Sequence, residues 1–304
     1  MTSGTPLEIV DVGALAWRVL QRNVAGTVKA SFKRSVYVKF DRSYVCIGDE
    51  TLGRSPLNVL ISARDDMPVW LPPIDAQVQI KERKVWFGER CFAETRSCQP
   101  CQIDRPELRG WTRSSLSSGL RELDRLLDKA PTHDGLLCLY AGNGAADLSQ
   151  VGRFGFGAVK HLEAVISARA AGMESAISVP LLARLLGLGP GLTPSGDDLL
   201  MGVLLALHAL GATKLASELW SCIEPEVLFR THEISYAHLC AAAENQCNPL
   251  IREAIDCLLE GDRFRLAGAV ERVGSIGHTS GWDILSGTSI AFRAHLSGCM
   301  SQPH

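Results

Sequence analysis

The apolar pattern of this 304-residue chain changes period part-way along, and that change constrains the fold more than any single motif. In the first third, Val36, Val38 and Phe40 alternate with Tyr37 and Lys39, and Val78 and Ile80 alternate with Gln77 and Gln79. Such alternation marks half-buried strands. Further short strands are predicted over 24–32, 44–47, 57–62 and 85–87, with turns at Gly48-Asp49 and Pro72-Pro73, and a leading helix over 10–22. Beyond residue 112 the period is helical. Leu120, Leu123, Leu126 and Leu127 share one face, as do Val159, Leu162 and Ile166. Leu200, Val203, Leu204 and Leu207 mark a helix closed by Gly211, and Pro249 opens another that stops at Gly261. A last helix runs through Ile284, Leu285, Thr288 and Phe292. The fold class is therefore α+β: a β-rich N-terminal domain over 1–110, then a larger, mainly α-helical C-terminal domain over 111–304, with the hydroxyl-rich stretch 112–119 as linker or helix cap.

Charge narrows the partners. With 31 Lys+Arg against 33 Asp+Glu, the chain lacks the basic surplus that nucleic acid requires. The longest apolar run, around 199–207, falls far short of the roughly 18 residues of a membrane span. The first residues do not read as a secretory leader, and ten scattered cysteines read as free thiols, so a cytoplasmic location is expected.

Glycine is unevenly spread: 18 of the 28 fall within the windows 135–157, 187–211 and 268–298. The densest is Gly187-Leu-Gly-Pro-Gly-Leu-Thr-Pro-Ser-Gly-Asp-Asp-Leu-Leu-Met-Gly202, where a helix expected to end near Leu186 gives way to a glycine loop and a new helix. Thr193, Ser195 and Asp197 are candidate caps for that helix. The pattern Ser-Gly-x-Asp-apolar-Leu-x-Gly recurs 85 residues on, matching Ser195, Gly196, Asp198 and Gly202 with Ser280, Gly281, Asp283 and Gly287. Two helices thus begin with the same chemistry, and if their N-termini face each other they form one polar pocket. The loop is no Walker A sequence, because Asp197 stands where Lys is needed, and no dinucleotide fingerprint, because a helix-like stretch precedes it. Asp197 and Asp198 are either ordinary first-turn acids favoured by the helix dipole or site residues. In the second case the amides from Gly189 to Gly196 bind an anionic group while Asp198 and Asp283 accept from an amide or amino group. A bare phosphate would be repelled by these carboxylates and would need an Arg or a divalent ion beside it.

Residues 187–198, with Gly277-His-Thr-Ser-Gly-Trp-Asp283, resemble the signature of the family that includes the AllH-type subunit of oxamate carbamoyltransferase. The resemblance implies one subunit of a multi-protein complex in anaerobic allantoin (purine) catabolism that interconverts oxalurate plus phosphate with oxamate plus carbamoyl phosphate. It covers 187–202 well and 277–287 fairly, and leaves the β-rich part unmatched. In such a site Asp198, Asp283 and His278 are the candidate catalytic residues, the carboxyls as acceptors and His278 as general acid or base. Gly189, Gly191, Thr193, Ser195, Gly196, Asp197, Thr279, Ser280 and Gly281 are the candidate substrate-binding residues. Arg184 and Arg230 are weaker candidate cations, since most arginines are surface groups. The expected partners are a small anionic or amide substrate and other protein subunits. No cofactor and no metal-ligand set is expected. Cys98 and Cys101 lack the further ligands of a closed zinc site, and His232 and His238 are six apart, off one helical face. Gly142-Asn-Gly144 and the glycines of 152–157 read as turns.

Overall fold

The computed structural model describes residues 6–62, 71–95, 110–127, 135–140 and 148–300. The chain divides into two compact units, Met1–Arg105 and Pro106–His304.

In the first unit, eight strands close into a barrel: β1 (Leu7–Val12), β2 (Val24–Ser31), β3 (Ser35–Phe40), β4 (Ser43–Asp49), β5 (Asn58–Ile61), β6 (Gln77–Lys81), β7 (Lys84–Phe87) and β8 (Arg90–Glu94). Their order around the barrel is β1-β5-β4-β3-β2-β6-β7-β8. β1 runs parallel to β8 and β4 parallel to β5, the remaining pairs being antiparallel. Ile9, Val38, Phe40, Ile47, Val78 and Ile80 are buried and fill the interior, as a barrel of this strand number requires. Closure removes the sheet edges that would otherwise offer unpaired amides to a neighbour.

The barrel corrects two local expectations. The leading helix, α1 (Ala14–Leu20), begins only after Gly13, and residues 10–12 belong to β1. A register shift between Ile9 and Asp11 hides the strand alternation from a reader of the sequence. Gly13 packs so closely on Ser55 and Pro56 that a side chain there would overlap their backbone. Gly48-Asp49 is not a turn but the end of β4. Asp49 is buried there and accepts from Arg34 Nε at 2.7 Å, Arg34 Nη2 at 2.9 Å and Thr51 N at 3.0 Å.

The second unit contains α2 (Arg113–Leu127), α3 (Leu137–Tyr140), α4 (Gln150–Ala170), α5 (Val179–Leu182), α6 (Ser195–Ala209), α7 (Thr213–Arg230), α8 (Glu233–Ala243), α9 (Pro249–Glu260), α10 (Arg263–Gly274) and α11 (Ser280–Met300). Every residue of α6 is buried, so this helix is apolar on all sides and forms the axis of the unit. α11 packs against α6 and α4, α8 covers another side of α6, and α2, α9 and α10 pack on one another. Most of 112–119 is helix rather than linker: Ser115 N donates to Thr112 Oγ1 at 3.0 Å and Thr112 N to Ser115 Oγ at 2.9 Å, a reciprocal cap for α2. The glycines of 152–157 likewise lie inside α4, which Ser149 caps by accepting from Gly152 N at 3.0 Å. Gly142–Gly144, Cys98 and Cys101 lie outside the described residues. Cys46, Cys91, Cys222, Cys240, Cys247, Cys257 and Cys299 are free thiols, and among the described residues no helix is long and apolar enough to cross a membrane.

Candidate functional site

The glycine loop between α5 and α6 adopts backbone conformations that L side chains avoid: φ is +71° at Gly187, +115° at Gly189 and +94° at Gly191. Asp197 anchors this loop. Its carboxylate accepts from Gly187 N at 3.0 Å, from Ser235 Oγ at 2.7 Å and from the Thr231 hydroxyl, tying the loop to the end of α7 and the start of α8. Burial raises its pKa against these three donors. Of the two adjacent acids, Asp197 therefore serves the fold, and its neighbour is left to face the second motif.

The two motifs meet at a helix crossing. A methyl group on Gly202 would overlap the carbonyl oxygen of Ile284, and one on Gly287 would overlap the carbonyl oxygen of Leu199. Ile284 stands 85 residues after Leu199 and Gly287 stands 85 after Gly202, so the contact is reciprocal and the motif copies are related by a local two-fold. The first turns repeat the device, with Gly196 seated on the Leu185 carbonyl and Gly281 on that of Val273. Because the crossing lies within two turns of both N-termini, Asp198 and Asp283 are brought to one place.

There the arrangement is again reciprocal. Ser280 and Thr193 lie beside the Asp198 carboxyl, and Ser195 and Thr279 beside that of Asp283; Thr193 Oγ1 and Ser280 Oγ lie 3.0 Å apart across the pair. Asp198 is 3% exposed and Asp283 0%. Burial raises the Asp198 pKa well above the ordinary carboxyl range, and the nearby charge of Asp283 adds to the rise. Asp283 is pushed up to about 6, again by burial, against a backbone donor, Leu136 N, 2.7 Å from its Oδ1. Gly135 closes that wall: a Cβ there would stand 2.6 Å from the same oxygen. Among the described residues, Ser195 Oγ, Asp198 Oδ2 and Asp283 Oδ2 are all buried without a hydrogen-bond partner. Native interiors rarely leave such atoms unsatisfied, so each calls for a partner such as an ordered water or an ion.

Of the other candidates, Gly189, Gly191 and Thr193 keep backbone amides uncommitted among the described residues, as do Leu192 and Ser195, whereas the Gly196 amide is spent on Leu188 O at 2.9 Å and the Gly281 amide on Ile276 O at 3.1 Å. His278 is exposed on the turn before α11 and makes no hydrogen bond to either carboxyl. Arg184 is exposed, and Arg230, also exposed, pairs with Glu226 at 2.8 Å. Neither aspartate of the central pair makes an ion pair among the described residues, and no three His, Cys, Asp or Glu side chains cluster there as a metal set. Gly135 and Leu136 were missed in the sequence; the only signal was that Gly135 opens one of the three glycine-rich windows.

Residues 185–292 match the model of the AllH family, described as oxamate carbamoyltransferase subunit AllH, the family that the motifs resemble. The matched segment runs from the turn before the glycine loop into α11 and so contains both motif copies. No solved structure matches the chain.

Proposed function

We propose, on the premise that residues 185–292 are an AllH-type segment, that this chain is a subunit of an oxamate carbamoyltransferase-type complex and that the paired-aspartate pocket receives the substrate. The observation that carries this reading is the convergence of two buried carboxyls, one from each motif copy, each with an oxygen that has no partner among the described residues. Transfer of a carbamoyl group from carbamoyl phosphate to oxamate forms a C–N bond, breaks the C–O bond to phosphate and releases the amide proton. It requires donors for the charge developing on the carbamoyl oxygen, an acceptor for that proton, and positive charge beside the phosphate. The free loop amides of Gly189, Gly191, Leu192 and Thr193 answer the first need and Asp198 the second. The surface positions of Arg184 and Arg230 leave the third to another source.

The test is phosphorolysis of oxalurate by the chain co-expressed with its partner subunits. Asp198→Asn and Asp283→Asn are each expected to lower turnover by about 10²-fold or more while assembly is retained. Full activity in both variants, or no carbamoyl transfer by the wild-type complex, removes this reading. A second reading, a non-catalytic scaffold, draws on the glycines that seat one helix on another at Gly119, Gly202, Gly287 and Gly298. A rise in melting temperature of the isolated chain with carbamoyl phosphate or oxamate counts against it, since only a ligand of the native state stabilises it.

A further inference from the structure

We propose that Asp198 and Asp283 together hold a divalent cation of the magnesium class, with the Ser195 hydroxyl as a further ligand. The site stands on its geometry alone; its service to phosphate rests on the function proposed above.

Two carboxyls of like charge face each other with almost no exposure, and neither has a Lys, Arg or His in ion-pair contact among the described residues. Burying even one uncompensated charge costs several kcal/mol, whereas a helix N-terminus returns only about 0.3–1 kcal/mol. The two helix starts therefore cannot balance the pair. The unpartnered atoms at this point are all oxygens: Asp198 Oδ2, Asp283 Oδ2 and Ser195 Oγ. Such a set is hard, and hard oxygen ligands suit magnesium, calcium or manganese. An amide would satisfy one or two of these acceptors, and a proton on Asp198 would relieve the opposed charges; a cation does both at once.

Magnesium in particular is usually held by one or two carboxylates together with substrate phosphates rather than by a full protein cage. That habit fits a site with two carboxylates and, among the described residues, no third acidic or imidazole ligand. The local two-fold places one carboxylate from each helix on either side of the ion. Asp283 Oδ1 is occupied by Leu136 N at 2.7 Å, so ligation through both Oδ2 atoms leaves Asp198 Oδ1 as the acceptor for an amide proton. The bound ion then supplies the positive charge that carbamoyl phosphate needs in a pocket walled by acids.

The experiment uses the full chain, freed of metal by chelation, with Mn²⁺ followed by electron paramagnetic resonance and Mg²⁺ by titration calorimetry. One equivalent is expected to bind to the wild type and to raise its melting temperature. Asp198→Asn and Asp283→Asn should each weaken binding by at least the roughly 10–100-fold that loss of even an outer partner costs a metal site. Ser195→Ala, which removes no charge, should weaken it less and serves as the folded control, with far-ultraviolet circular dichroism on every variant. No binding of either ion at millimolar concentration, or undiminished binding in both Asp variants, overturns the proposal. A complex that binds Mn²⁺ at these residues yet transfers no carbamoyl group keeps the metal site and loses the functional reading; carbamoyl transfer undiminished by chelation does the reverse.

Discussion

Adding a single methyl group at the α6–α11 crossing tests whether the two motifs form one unit. In Gly202→Ala the new Cβ would lie well under 3.0 Å from the Ile284 carbonyl oxygen, and 2.9 Å from both the Ile284 carbonyl carbon and Thr288 N. All are backbone atoms, so no side chain can rotate aside. The helices must part by about 1 Å, and gaps of that size forfeit a quarter to a half of the dispersion energy of the atoms lining them. Overpacking of this kind costs about 1–3 kcal/mol, and the backbone obstacle puts this case at the upper end. Exchange of glycine for alanine in a helix returns about 1 kcal/mol. The net expectation is a loss of about 2 kcal/mol, read from urea unfolding of the helical unit by circular dichroism. Gly287→Ala faces the Leu199 carbonyl in the same way and should cost a similar amount. Because either methyl group already opens the crossing, the double variant should lose clearly less than the two single losses added together. Gly157→Ala is the control: it lies inside α4 with nothing within 4 Å of its added Cβ, so it should be neutral or stabilising. Wild-type stability in Gly202→Ala, or full additivity in the double variant, would refute the reciprocal crossing.

Asp197→Ala should destabilise the helical unit by several kcal/mol, because three donors lose a charged acceptor and each such bond contributes about 1.5–3 kcal/mol. Limited proteolysis within the loop 187–193 would report its release. In the barrel, burial alone would raise the Asp49 pKa, but the bonds from Arg34 and Thr51 outweigh it and hold the carboxyl below its ordinary value. A depressed folded pKa means stability that is present above the unfolded value, about 3.9, and is lost as pH falls through the folded one. The stability difference between wild type and Asp49→Asn should accordingly shrink on acidification from pH 5 to pH 2, as thermal melting would show; a constant difference would mean that the ion pair adds nothing.

Strand periodicity was readable wherever one face is wet. β3 and β6 alternate plainly because Tyr37, Gln77 and Gln79 point away from the interior. β1 and β8 were not readable: β1 is interrupted by its register shift, and β8 is short, with Cys91 and Phe92 adjacent rather than alternating with charged residues. Those are the two strands whose parallel pairing closes the barrel, so the β-rich character was legible and the closure was not. Closure depends on partners some 85 residues apart, Leu7 with Ala93, and a local pattern carries no record of them. In the helical unit the caps at Pro249 and Gly261 were legible because they act within one turn. The glycines of 152–157 misled for the opposite reason. Gly155 is tolerated in α4 because Leu136, Leu185 and Leu188 fill the space beside it, which is a tertiary fact.

At the site, the repeat was more informative than any single residue in it. Read singly, Asp197 and Asp198 are equivalent first-turn acids, and the structure gives them opposite roles. Only Asp198 has a counterpart at the matching position of the second copy, where Trp282 stands in place of Asp197 and Asp283 in place of Asp198. The repeat carries this difference, which the reading of Asp197 as a substrate-binding candidate leaves aside. It also fixes what a ligand must look like. A position on a local two-fold presents a carboxyl and a serine from each side, and among the described residues Leu136 N, the glycine loop and the Thr193–Ser280 contact break the symmetry. An isotropic cation suits the symmetric centre and an asymmetric substrate suits the side lined by the loop amides, so the ion and the carbamoyl group would occupy adjacent positions rather than compete for one.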